Sequence, residues 1–230
     1  MLKRPEPVAS EPLTRIQRNL LARSERTLLN ALCARMPAWV TPDILTAIGV
    51  AGAVTIFAGY SLSGWSPAFL WLAIAGYVIQ WFGDSMDGSL ARFRKIERPS
   101  FGYFLDHSCD GLTSLLILAG IGLSPFVRLD VALLALAGYL LLSIHAYLSA
   151  RVLGELKLSY LNAGPTELRV ALIATTLAMM ELGAGPGQFA PWSGFDLIVG
   201  GVGAGLIAMF IVQTLGTARR LNALGPTRSR

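Results

Sequence analysis

Residues 44–83 read ILTAIGVAGAVTIFAGYSLSGWSPAFLWLAIAGYVIQWFG, a run of 40 without one Asp, Glu, Lys, Arg or His. A helix crosses a hydrocarbon core in roughly 20 residues, so this stretch is long enough to cross twice. Its centre, Ser61-Leu-Ser-Gly-Trp-Ser-Pro67, carries turn residues and a tryptophan suited to a membrane interface. The run therefore reads as two helices, 43–62 and 67–91, joined by a short turn. Apolar segments at 101–123, 130–150, 168–184 and 194–217 follow, separated at Ser124-Pro125, Asn162-Ala-Gly-Pro165 and Gly183-Ala-Gly-Pro-Gly187. Lipid leaves no free backbone group satisfied, so each segment is expected to be a helix. The predicted architecture is all-α and integral to the membrane, with six transmembrane helices over 43–217 in one domain spanning 1–230.

The composition agrees: of 230 residues, 53% are hydrophobic and 14% charged, and the mean hydropathy is +0.56. Soluble domains carry about 25% charged residues, and disordered chains carry far less apolar material. Both classes are excluded. Two cysteines, Cys33 and Cys109, make neither a disulfide framework nor a zinc site.

With six crossings, 18 of the 19 Lys and Arg fall on one side and only Arg128 on the other. Cationic loops stay in the cytoplasm, so both termini are expected there, in a plasma or inner membrane. This placement also accounts for the net charge of +5 without a nucleic-acid partner. The first 40 residues are polar and mixed and do not read as a secretory signal. Within them, residues 12–37 place Leu13, Ile16, Leu20, Leu28 and Leu32 at helical spacing among Arg15, Arg18, Arg23, Arg26 and Arg35. Such a helix can lie in the membrane interface or pack on the cytoplasmic end of the bundle.

Against this background four acids stand out. Trp81-Phe-Gly-Asp84-Ser-Met-Asp87-Gly88-Ser-Leu-Ala91-Arg92 closes the second helix, and Phe101-Gly102-Tyr-Phe-Leu-Asp106-His-Ser-Cys-Asp110 opens the third. Charges inside membrane helices cost about 2.5–3.5 kcal/mol each on insertion scales, so they are kept for a reason. Spacings of i,i+3 and i,i+4 put each pair on one helix face. The two helices are consecutive and joined by a short basic loop, so the four carboxylates can meet. Clustered like charges need protons or cations, and all-oxygen donors favour magnesium, manganese or calcium over zinc. Two such ions would suit displacement at a diphosphate. Otherwise these are helix-end acids reaching for the interface.

The pattern Asp84-x-x-Asp87-Gly88-x-x-Ala91-Arg92, nine residues, then Gly102-x-x-x-Asp106-x-x-x-Asp110 resembles the signature of the CDP-alcohol phosphotransferases. The helix count and the amphipathic N-terminal segment are also similar to that family. The resemblance implies transfer from a CDP-linked donor to an alcohol, with release of CMP and two Mg2+ or Mn2+ ions. It implies metal ligation by Asp84, Asp87, Asp106 and Asp110, with Asp110 as the general base. Gly88, Ala91, Arg92 and Gly102 would shape the nucleotide pocket. The family's Thr-Pro-Asn-x-x-Thr, near the cytidine, corresponds here to Thr41-Pro42-Asp43-Ile-Leu-Thr46, which adds Thr46 to that pocket. Asp43 replaces the amide, and helix capping by Thr41 is the preferred role of this segment.

Arg151, Arg169 and Lys95 are candidates for an acceptor phosphate, as in related inositol-phosphate and glycerol-phosphate enzymes, although positive-inside topology alone accounts for such cations. Thr166 is available to cap the fifth membrane helix. His107 is expected to point away from the neighbouring aspartates, and His145 to hydrogen-bond within the bundle. Gly200, Gly201, Ala204 and Gly205 fit either a homodimer contact or packing within one chain. The expected reaction moves a phosphatidyl group from CDP-diacylglycerol in the bilayer to a small polar alcohol. An amino-alcohol phosphotransferase using CDP-choline or CDP-ethanolamine is the alternative within this chemistry. An ion-coupled transporter is disfavoured because the acids gather at one end rather than near the midplane.

Overall fold

The structure, a computed structural model, describes residues 14–16, 22–157, 164–184 and 191–223. A helix α1 (Ala22–Arg35) precedes six longer ones: α2 (Pro42–Leu62), α3 (Leu70–Arg94), α4 (Pro99–Leu123), α5 (Leu129–Leu153), α6 (Pro165–Leu182) and α7 (Gly194–Ala223). A 3-10 turn at Pro67–Phe69 leads into α3. All six apolar segments are thus helices, with ends set by local chemistry. Thr41 caps α2 by accepting from the Ile44 N–H, as expected, and Pro42 takes the first helical position. Lys95 ends α3 in the left-handed region at φ 58°, and Gly154 does the same for α5 at φ 68°.

Four helices, α2, α4, α5 and α7, are long and apolar enough to cross a membrane. The protein is an all-α integral membrane protein. The remaining two carry more polar residues: α3 has Asp84, Asp87, Arg92 and Arg94 in its second half, and α6 holds Glu167, Arg169 and Glu181. Large side chains such as Val54, Leu133, Leu148 and Val212 face outward, as lipid permits.

The closest helix pair is α2 with α3, and glycine is the reason. A methyl at Gly83 would overlap the backbone of Gly49 and Leu45, and one at Gly59 would overlap Ala73. Between these points the two backbones nearly touch, which brings the start of α2 against the acidic end of α3. The far half of the bundle closes on Ile56, Tyr77, Ile121, Ala132 and Met179. There Tyr60 bridges three helices, bonding Thr176 at 2.6 Å and Tyr77 at 3.2 Å, so its buried hydroxyl is satisfied. His145 meets Ser149 at 3.2 Å and Thr214 at 3.3 Å, the expected bond within the bundle.

Two expectations are corrected. Of the helix expected at 12–37, Ala22–Arg35 is helical, whereas Thr14–Ile16 is a strand, β1, paired in parallel with β2 (Glu155–Lys157). The extended chain beyond Gly154 offers β1 a backbone edge. Thr166 is not the cap of α6: Gly164 holds that position, and its N–H donates to Glu167 Oε2 at 3.0 Å. The helix starts earlier because Pro165 fits its first turn. Lys3, Arg4, Leu13, Arg18, Leu20, Asn162, Ala163, the Gly185–Gly187 turn, Arg228 and Arg230 lie outside the described residues. In α7, Gly203 packs on Ala135, whereas a methyl on Gly201 or Gly205 would meet nothing within 4 Å.

Candidate active site

Helix α3 ends four residues before α4 begins, so the acids of both helices stand at one end of the bundle. An open cleft of about 2320 Å³ runs there, lined by Thr46, Asp84, Asp87, Gly88, Ala91, Arg92, Gly102, Asp106, Arg151 and Arg169. Asp110 follows one turn deeper along α4. Ligand atoms of Asp106, His107 and Asp110 all lie within 4.8 Å of one another.

Each carboxylate has its own surroundings. Asp84 pairs with the guanidinium of Arg169, whose Nε also donates to Gln80 Oε1 at 2.6 Å. Asp87 accepts from Thr46 Oγ1 at 2.7 Å and from the N–H of Gly88. Asp106 and Asp110 flank the imidazole of His107, their Oδ2 atoms 3.8 and 3.6 Å from Nδ1. Among the described residues Arg169 is the one guanidinium in an ion pair with these acids. Asp84, Asp87 and Asp106 present carboxylate oxygens to the open cleft, the donor type that hard divalent cations take. A hard divalent cation fits these residues.

The other expected residues divide. A methyl at Gly88 would come within 3.2 Å of the Arg92 guanidinium, so glycine there leaves Arg92 room to fold back over α3. Nothing lies within 4 Å of a methyl at Gly102, which leaves that backbone open toward the cleft. Thr46 bonds the Asp87 carboxylate directly. Arg151 and Arg169 line the cleft; Lys95, in the left-handed turn after α3, is not among its lining residues. Arg94 turns away and donates to the carbonyls of Val40 at 2.6 Å, Pro37 at 2.8 Å and Met36 at 3.1 Å, tying down the turn before α2. Asp43 pairs with Arg98, which also lies 4.2 Å over the Phe101 ring.

His107 contradicts its expectation. Its side chain is only 8% exposed and packs between Tyr103 at 4.3 Å and Tyr147 at 4.7 Å, facing both acids of α4 rather than away. Tyr147 comes from α5, so no pattern within α4 announces this pocket. Gln80 and Glu25 were also missed. Gln80, a lone buried amide in an apolar helix one turn before Asp84, carried a readable signal. Glu25 carried none in a helix that reads as basic.

The family model for CDP-alcohol phosphatidyltransferase matches residues 39–217, which contain every acid of the cluster. The chain is 33% identical over 146 residues to an archaetidylinositol phosphate synthase of Pyrococcus horikoshii, covering 62% of this chain and 65% of that one. It is 37% identical over 91 residues to a phosphatidylinositol phosphate synthase of Cutibacterium acnes, covering 39% and 41%. A cholinephosphotransferase 1 of Danio rerio is 30% identical over 133 residues, covering 50% and 34%. The chain thus spans about two-thirds or less of the length of these relatives.

Proposed function

The chain belongs to the CDP-alcohol phosphatidyltransferase family, and on that premise we propose that it moves a phosphatidyl group from CDP-diacylglycerol to a small phosphorylated alcohol. Inositol phosphate and glycerol phosphate are the acceptor types in view, and CMP is the other product. The reading rests on one observation: the acids of α3 and α4 gather at one cleft, with Arg169 of α6 against them. A guanidinium beside a diphosphate site is the group that holds a second anion.

Bound by Asp84, Asp87, Asp106 and Asp110, divalent cations would neutralise the diphosphate and the departing CMP. Asp110, beside His107 and one turn deeper than Asp106, takes the proton from the acceptor hydroxyl. The freed oxygen attacks the lipid-side phosphorus, and the bond to CMP breaks. Thr46 orients Asp87, and Gly88, Ala91, Arg92 and Gly102 border the nucleotide. Arg169 and Arg151 bind the acceptor phosphate. Six crossings by α2 to α7 would put both termini and the cleft on the cytoplasmic side, with α1 at the interface.

The test is CMP release by the purified full chain in mixed micelles with CDP-diacylglycerol, magnesium or manganese, and a panel of acceptors. Release with a phosphorylated polyol is expected. Similarity to a cholinephosphotransferase favours a second reading, in which CDP-choline and diacylglycerol are the substrates. Release with that pair alone would establish it, and no release from any CDP-linked donor, with solute flux in proteoliposomes, would remove both.

A further inference from the structure

Glu25 stands apart from the acids of the motif, on α1, yet one of its oxygens gathers three helices. Oε1 accepts from Trp81 Nε1 at 2.9 Å, from Ser85 Oγ at 3.4 Å and from Thr166 Oγ1 at 2.9 Å. Trp81 and Ser85 flank Asp84 on α3. Thr166 lies one helical turn before Arg169 on α6. The carboxylate therefore ties together the two helices whose side chains form the Arg169–Asp84 pair, each within a turn of the residue it presents. Beneath it Leu29 and Cys33 seat α1 in a buried cluster with Val40, Leu45, Met86 and Leu90. An N-terminal helix serving only as a surface anchor has no use for a partly buried acid with three protein donors, because removing such an acceptor leaves each donor unpaired.

We infer that Glu25 is a positioning residue: it acts through Thr166 and Ser85 to hold Arg169 of α6 at its working distance from Asp84. The α1 helix is thereby a wall of the site. All three partners are donors, so the oxygen's capacity to accept is what matters, and glutamine retains it. The consequence for catalysis rests on the phosphatidyl-transfer reading; the geometric consequence does not.

Two measurements separate these. Spin labels at the exposed Leu28 of α1 and Val170 of α6, in a chain with Cys33 and Cys109 replaced by alanine, report the α1–α6 distance. The distribution is expected to be narrow in the parent and in Glu25→Gln, and broad in Glu25→Ala and Thr166→Val. In the CMP-release assay, Glu25→Ala is expected to raise the acceptor KM about tenfold, leaving the donor KM within about threefold, and Glu25→Gln to restore it. Thr166→Val, which leaves α1 and its acid intact, should move the acceptor KM in the same direction. Unchanged distances in both disrupting variants overturn the inference whatever the activity. So does an equal fall in kcat with both KM values unmoved, which denotes general destabilisation. An inactive parent overturns the transfer reading alone, and the distances still decide the clamp.

Discussion

Thr46 of α2 donates to Asp87 of α3 at 2.7 Å across the glycine seam. A hydroxyl bonded to one carboxylate oxygen fixes the rotation of that group and the direction in which its other lone pairs point. A hydrogen bond to a charged group contributes about 1.5–3 kcal/mol. Thr46→Val is therefore expected to weaken manganese binding about tenfold, and Thr46→Ser to restore it. Calorimetric titration of the purified variants reads this directly, and parent-like affinity in Thr46→Val would return Thr46 to the nucleotide alone.

The proposed general base is Asp110. General-base removal costs about 100-fold to 10,000-fold in rate. Asp110→Asn is expected to lose turnover by at least about 100-fold while still binding CDP-diacylglycerol. Chelation of divalent metal should stop CMP release in the parent without unfolding it. An Asp110→Asn chain that binds metal more weakly yet turns over at the parent rate at saturating ion would reassign the residue as a ligand only.

Arg169 forks between Gln80 and Asp84. Lysine keeps the charge but lacks the planar fork. Arg169→Lys is expected to raise the acceptor KM about tenfold, with a smaller change for the donor. Steady-state titration of each substrate separates the two. A lower melting temperature with both KM values intact would mean that Arg169 braces α6 and nothing more.

The seam between α2 and α3 makes a contrast that melting curves in detergent can read. Gly83→Ala forces a methyl into the backbone of Gly49, and overpacking costs about 1–3 kcal/mol or more. Gly201→Ala meets nothing within 4 Å and removes a flexible residue from α7, so it should be neutral or slightly stabilising. A marked loss in Gly201→Ala would point to a second chain against that face.

Reading the residues in order was enough to find the helices and the four acids, because both signals are local. A long charge-free run reads as apolar helix from its own residues, and acids at i,i+3 and i,i+4 share a face by helix geometry alone. Partners drawn from distant helices were not legible. Glycines were singled out on α7, but those that set the decisive contact lie on α2 and α3, since a small residue does not reveal which neighbour it admits. Arg169 is a candidate from its place near a helix start, but the sequence names no partner for it or for Arg94. Only the packing sends Arg94 to the carbonyls before α2 and Arg169 to Asp84.

The sequence by itself determined an all-α membrane protein with its motif acids at neighbouring helix ends. Tertiary structure decided which side chains surround each acid: Thr46 at Asp87, Arg169 and Gln80 at Asp84, and His107 between Tyr103 and Tyr147 beside Asp106 and Asp110. It also turned Glu25 from one charge in a basic helix into the link between α3 and α6. The physical reason is range. Hydropathy and helical spacing act over a few residues, whereas a hydrogen bond between residues 25 and 166 exists only after the intervening helices have packed.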